Sequence, residues 1–122
     1  FQADRYEEAR AALSRALEAD PEDPDTNLLM GRTLLVLGAL DEAESHLSRA
    51  AASPGGEARF MVPHTRALVR LRQRDWNAAE SFLDRAIALA PGYSGARIAR
   101  AQARAFLDRI DEALGDLSAT AD

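Results

Sequence analysis

The sequence predicts an all-α chain of paired antiparallel helices, about seven in number, and three observations carry that prediction. The first is an internal repeat. Ala79, Leu83, Ala86 and Pro91 define a set of columns that returns as Ala9, Leu13, Ala16 and Pro21, and as Ala43, Leu47 and Ala50. A last copy has Ala113 and Leu117, with Thr120 where Ala is expected, and successive copies lie 34, 36 and 34 residues apart. The second is a column of large apolar residues, Tyr6, Leu40, Trp76 and Ile110, three positions before each leading Ala. The third is spacing, because apolar residues recur at intervals of three and four, which lays a stripe along a helix, and no segment reads as a strand.

Each element follows in turn. Asp4 to Ala19 carries Tyr6, Ala9, Leu13, Ala16 and Leu17 on one stripe and ends at the breakers Pro21 and Pro24. Asp25 or a neighbour caps the next helix, whose Leu28, Leu29, Met30, Leu34, Leu35 and Leu37 are apolar on more than one side, as a helix between two others requires. Gly38 stops it. Asp41 to Ala52 repeats the first helix, and Ser53-Pro54-Gly55-Gly56 ends it. The two extra residues of the 36-residue spacing fall between Ala52 and Ala67, because the small residues Gly31, Ala67 and Ala101 are themselves 36 and 34 apart. Pro63 fits only in a first helical turn, where backbone N–H groups lack partners anyway. A helix therefore starts near Glu57 to Met61 and runs to about Gln73. Trp76 to Leu89 follows, Pro91-Gly92 turns the chain, Ser94 caps a helix to Leu107, and Ile110 to Ala119 closes. Trp76, in a repeated apolar column, is expected in the core.

Composition narrows the function classes. At 122 residues and 47% apolar content the chain is one domain with material for a continuous core. Without cysteine it has no disulfide framework, thiolate nucleophile or sulfur metal site. No apolar run approaches the length of a membrane span. All fifteen basic residues are Arg, and they are unevenly placed: residues 1–57 hold twelve acids and five Arg, residues 58–110 four acids and ten Arg, and the tail four acids and no Arg. An acidic net charge of −5, no Lys and no aromatic residues interleaved with the Arg argue against a nucleic-acid partner.

Catalytic and metal chemistry find no support in the pattern. The two histidines, His46 and His64, lack any ligand spacing and read as helix-surface residues, and no Gly-rich loop could cradle a phosphate. The serines have no fixed His partner. The acidic pairs Glu7-Glu8, Asp41-Glu42 and Asp111-Glu112 recur at the repeat period, which makes them first-turn charges favoured by the helix dipole. The expectation is a non-enzymatic chain without cofactor or metal.

A period of 34 residues with two helices per unit, carrying Ala-x3-Leu-x2-Ala and a Pro five residues on, resembles the tetratricopeptide repeat. The resemblance covers essentially the whole chain, divided as a back half (1–23), a repeat (24–56), a repeat with the two-residue insertion (57–92) and a last repeat (93–122). The missing front half reads as a piece of a longer protein. The small residues Gly31, Ala67 and Ala101 in front helices, and Ala43, Ala79 and Ala113 in back helices, let helix axes approach, while Leu47, Leu83 and Leu117 fill the space beside them. Departures stand at the turn glycine, present as Gly38 but Asp4, Arg74 and Asp108 elsewhere, and at the Pro column, which reads Gly55 in the second copy.

What the resemblance implies is a right-handed α-solenoid whose front helices line a concave groove that holds a peptide or a helix of a partner. Its groove positions fall on Leu28, Arg32, Leu35 and Val36, on His64, Leu68, Leu71 and Arg72, and on Ile98, Gln102, Ala105 and Phe106. The variant of the family that grips a terminal carboxylate uses Lys and Asn there, so this set implies an apolar ligand, with Arg32 and Arg72 adding a preference for some negative charge. The plainer reading is that several of these leucines pack between repeats. The chain is then an interaction scaffold, or alternatively the substrate-orienting arm of a larger enzyme. Self-association through truncated ends is also expected, with Phe1, Tyr6 and Leu13 left uncovered. Finally, Arg66, Arg70, Arg100 and Arg104 stand where the family buries apolar residues, at i, i+4 in two front helices. They form either an anion patch across two repeats or a set of internal ties to acids such as Glu80, Asp84 or Asp75.

Overall fold

Helix pairs follow one another along the whole chain. The computed structural model describes residues 2–121, with side chains described for 3–56 and 58–119. Among them are seven α-helices: α1 (Gln2–Ala19), α2 (Pro24–Leu37), α3 (Leu40–Ala52), α4 (Met61–Arg72), α5 (Trp76–Leu89), α6 (Ser94–Phe106) and α7 (Ile110–Ala121). Each packs mainly on its neighbours in sequence, and the front helices also touch one another, α2 on α4 and α4 on α6. That second set of contacts makes the array a solenoid rather than a string of hairpins.

Local chemistry sets the helix ends. Asp23 caps α2, its carboxylate accepting from the Thr26 N–H at 2.9 Å, and Pro24 opens the first turn, where its missing N–H costs nothing. Asp75 caps α5 in the same way through the Ala78 N–H. At α6 the expectation fails: Ser94 is the first helical residue and Tyr93 stands at the cap without a side-chain bond. The three turns from front to back helix share one geometry. Gly38, Arg74 and Asp108 all adopt a left-handed backbone, with φ of 81°, 61° and 62°. In each, the next N–H reaches the carbonyl five residues back, as Ala39 to Leu34, Asp75 to Arg70 and Arg109 to Arg104. The sequence departs from glycine at two of these turns while the backbone does not.

The longest connection, Ser53 to Phe60, takes up the two extra residues and includes a 3₁₀ turn at Gly56–Ala58. Gly56 is required there, because a Cβ would fall 1.8 Å from the Ala50 carbonyl oxygen. Pro63 occupies the first turn of α4, as its ring demands.

The core lies where front and back helices cross. One cluster joins Leu17, Met30, Leu34, Ala43, Leu47 and Val69, and a second joins Ala67, Leu83, Ala86, Ala96 and Ala99. Leu34, Leu47 and Leu83 are fully buried, each contributing about 1.5–3 kcal/mol. The helices approach closely at Gly31, where a Cβ would sit 2.5 Å from Leu47 Cγ.

Two residues expected inside are not there. Leu117 is 44% exposed because, among the described residues, no helix packs beyond α7; with Leu114 and Ile110 it leaves an apolar face. Trp76 is only half-buried, since its column sits at the start of a back helix, and it stacks on Phe106 with ring centroids 4.2 Å apart. At the opposite end Tyr6 and Leu13 are half-buried, and Phe1 lies outside the described residues.

A left-handed backbone costs a non-glycine residue about 1–2 kcal/mol. Arg74→Gly removes that cost from an exposed turn and is expected to raise the melting temperature by several degrees, as measured by circular dichroism. An unchanged or lower value would show that the Arg74 side chain itself holds the turn.

Candidate functional site

The residues that the repeat register assigns to the groove lie on α2, α4 and α6, and their exposure varies. Arg32 and Val36 are exposed on α2, while Leu28 and Leu35 are half-buried against the first core cluster. On α4, Arg72 is exposed and Leu68 and Leu71 are half-buried against the second cluster. On α6, Ile98, Gln102, Ala105 and Phe106 are all exposed, Phe106 at 67%. One face of the Phe106 ring is covered by Trp76.

His64 departs from the surface position expected of it. It is buried, because α4 is flanked by α2 and α6 at that level, and its ring meets Tyr93 edge-on at 5.2 Å. Tyr93 in turn lies 5.0 Å from Phe60. Burial first, and then the neighbouring Arg32 charge, lower the His64 pKa below the usual histidine value. His46 is half-buried and also lowered, by burial first and then by Arg49, against a smaller opposing pull from Glu42. The Asn27 amide nitrogen already donates to the Pro21 and Asp23 carbonyls, so His46 Nδ1 donates to Asn27 Oδ1 at 2.9 Å.

The four arginines each face carboxylates. Arg66 donates to Glu44 Oε1 through Nε at 3.1 Å and Nη2 at 2.6 Å, and Arg70 approaches the same oxygen at 3.5 Å. Arg100 forks onto Asp116 and also reaches Asp84 at 2.9 Å. Arg104 bridges Glu80 at 2.8 Å and Asp116 at 2.9 Å. Arg109 joins the set by donating to Glu80 at 2.6 Å. Burial by itself would raise the Glu80 pKa, but hydrogen bonds and charge from Arg104 and Arg109 outweigh it and hold the group below its ordinary value. Asp75, considered as a counter-charge, instead caps α5.

Sequence reasoning named Glu80 and Asp84 as counter-charges and missed Glu44 and Asp116. Glu44 had a signal, since Glu44 and Glu80 each follow the leading Ala of their copies, 36 residues apart. Asp116 had none. Tyr93, which bridges Phe60 and His64, was missed as well, because turn residues fall outside the helical columns.

The class of molecule is therefore an α-solenoid of helix pairs, and the comparisons name the class. Residues 1–60 match the model of the tetratricopeptide repeat. The chain belongs to the tetratricopeptide-repeat family. Among solved structures it is similar to a crystal structure of MamA, with a TM-score of 0.86 and 23% identity, over 94% of this chain and 66% of that one. It is similar also to TTC0263, a thermophilic TPR protein of Thermus thermophilus, with a TM-score of 0.79 and 24% identity, over 95% of this chain and 64% of that one. At these identities the likeness shows the fold. The chain thus spans about two thirds of the length of these two neighbours. The second TPR of Spaghetti (RPAP3) bound to the HSP90 peptide SRMEEVD matches with a TM-score of 0.75 and 26% identity, over 87% of this chain and 95% of that one. No curated protein matches the sequence significantly. Among the described residues no helix is long and apolar enough to cross a membrane.

Two outcomes follow from the electrostatics. A histidine whose pKa is lower folded than unfolded leaves stability complete above about 6.5 and progressively lost as pH falls below it. The urea midpoint is expected to drop between pH 7.5 and 5.5, and to drop less in His64→Phe; equal drops in the two proteins would rule out His64 as a source. Second, Arg100→Leu with Arg104→Leu removes two arginines that hold the buried Asp116 and one of the two that hold Glu80, so stability should fall by about 3 kcal/mol. Stability equal to the parent's in denaturant unfolding would mean that the ties contribute nothing, leaving the arginines as candidates for an external anion.

Proposed function

We propose that the chain is a protein-interaction scaffold that holds a peptide or helix of a partner along α2, α4 and α6. The observation that carries the reading is the set of exposed apolar side chains on α2 and α6, Val36, Ile98 and Phe106, beside the half-buried Leu28, Leu35, Leu68 and Leu71 of α2 and α4. Open apolar surface on a solenoid's front helices is suited to an amphipathic segment, whose burial there removes both surfaces from water. The neighbouring TPR bound to an HSP90 peptide supports the same mode in kind.

The ligand differs in chemistry from that acidic peptide. Leu28, Leu35 and Val36 line the part of α2 that faces it, so apolar anchors supply the affinity. Arg32 and Arg72 are exposed on the flank and favour an acidic residue beside the anchors. His64 and Tyr93 form a rigid floor between the ends of the face, where burial leaves His64 uncharged at neutral pH. The role is one of recognition, with the chemistry of any reaction left to the partner.

Peptides selected from a random phage-displayed library on the immobilised chain test this. The enriched sequences are expected to carry spaced apolar residues with an acid nearby. Their affinity should fall at least tenfold with Val36→Asp plus Ile98→Asp, two exposed positions whose change leaves the core intact. Binding that survives the double substitution in a folded protein would overturn the groove.

A further inference from the structure

A cavity of about 370 Å³ lies away from the groove, between α3, α4 and α5, and the repeat itself explains why it is there. It is lined by Ala51, Val62, Pro63, Arg66, Phe82, Arg85, Ala88 and Leu89, none of them a groove residue. Two of these, Pro63 and Phe82, differ in kind from their counterparts, while Ala51 shares its register with Ala121 as well as with the larger Leu17 and Ile87. Pro63 stands at the register of Asn27 and Arg97, whose side chains donate to the carbonyls of Pro21 and Pro91 in the preceding turns. Proline has no such donor, and the turn before it is the lengthened one with Gly55 in place of that proline. Phe82 stands at the register of His46 and Asp116; His46 bonds to Asn27 and Asp116 binds two arginines. A proline and an apolar ring of the 57–92 repeat thus stand where other copies make polar connections, Ala51 of α3 contributes only a methyl, and space remains.

The charge around this space is unbalanced. Arg66, Arg85 and Arg70 place their guanidinium carbons 4.5, 5.6 and 6.0 Å from the centre of the Phe82 ring. Among the described residues the carboxylate in contact with this group is that of Glu44, shared by Arg66 and Arg70. Among them three positive charges thus face one negative charge. Among the described residues Arg85 has no carboxylate within 4.0 Å, and Glu80 and Asp84, the nearby acids on α5, pair with arginines of α6 and beyond. Like charges gathered on one ring in a partly dry site repel, and an anion among them relieves that repulsion. Val62, Pro63, Phe82, Ala88 and Leu89 give the same site apolar walls. Concave, mostly apolar surface with a few convergent polar groups is the usual form of a ligand pocket.

We propose that this pocket binds an apolar-bodied carboxylate, its hydrocarbon part against Phe82, Val62 and Leu89 and its carboxylate on Arg85 and the free edge of Arg66. The site is independent of the peptide groove.

The test is a two-dimensional NMR titration of the chain with 4-phenylbutyrate, with 4-phenylbutanol as its neutral counterpart. Short peptides ending in Phe, with a free or an amidated C-terminus, form two further arms. The expected result is saturable shifts of Val62, Ala88 and Leu89 methyl groups with a carboxylate probe, and at least fivefold weaker binding of each neutral counterpart. Arg85→Gln should weaken the carboxylate at least fivefold, and Ala88→Phe, an exposed position that fills the cavity, should abolish binding. Binding by the free acid alone would identify small organic acids as the source, and binding by the free-ended peptide alone a chain terminus; either supports the site. Equal binding of charged and neutral probes, an unchanged affinity in Arg85→Gln, or no shifts at millimolar probe would overturn it. Val36→Asp plus Ile98→Asp should leave these shifts unaltered, which separates this site from the groove.

Discussion

The close approach of front and back helices at the small-residue columns is the constraint on which the rest depends. With Gly31 against Leu47, and Ala67 beside Leu83, the axes come near enough for a single leucine to fill the crossing. A larger residue at Gly31 would drive its Cβ into Leu47, and overpacking of this kind costs about 1–3 kcal/mol. Because each crossing fixes the next, the spacing of α2, α4 and α6 follows from the small residues at the crossings.

Between repeats the chain uses two different adhesives. At the first junction, α1 to α2, the front helix presents Met30 and Leu34 and the contact is apolar. At the next two, α3 to α4 and α5 to α6, the same register holds arginine pairs that meet Glu44, or Glu80 and Asp84, and the second pair also ties α6 to Asp116 of α7. Buried ion pairs return less net stability than well-packed apolar residues, since desolvation offsets most of the Coulomb gain, but breaking one partner is costly. Such junctions therefore fix register more than they add stability. The Arg66 guanidinium also lies over Phe82, so a side chain that ties α4 to α3 also lines the cavity.

The repeat is thus informative in its exceptions. Where Asn27 and Arg97 link a front helix to the turn before it, Pro63 cannot, and the chain there is longer by two residues. An insertion that only lengthened a loop would leave the neighbouring columns unchanged. Here Pro63 and Phe82 both depart from the polar residues of neighbouring copies, and both line the same space.

By itself the sequence determined the helices, their pairing and the family, because those rest on local spacing: the 34-residue period, the Ala and Leu columns, and breakers such as Gly38 and Pro63. The positions that the family resemblance implies for a groove fall on three helices, but which of them are exposed could not be read from it. His64 was expected on a surface and is buried, and Trp76 was expected in the core and is half-exposed, since burial depends on the helices flanking each level rather than on the periodicity of one helix. Nor did it give Arg74 and Asp108 their left-handed turns, where tertiary packing overrides residue preference. The counter-charges of the arginines were half legible, through the recurrence of Glu44 and Glu80, while Asp116 was not. Only the tertiary structure decided which charges meet and where space is left, because both depend on side chains brought together from helices distant in sequence.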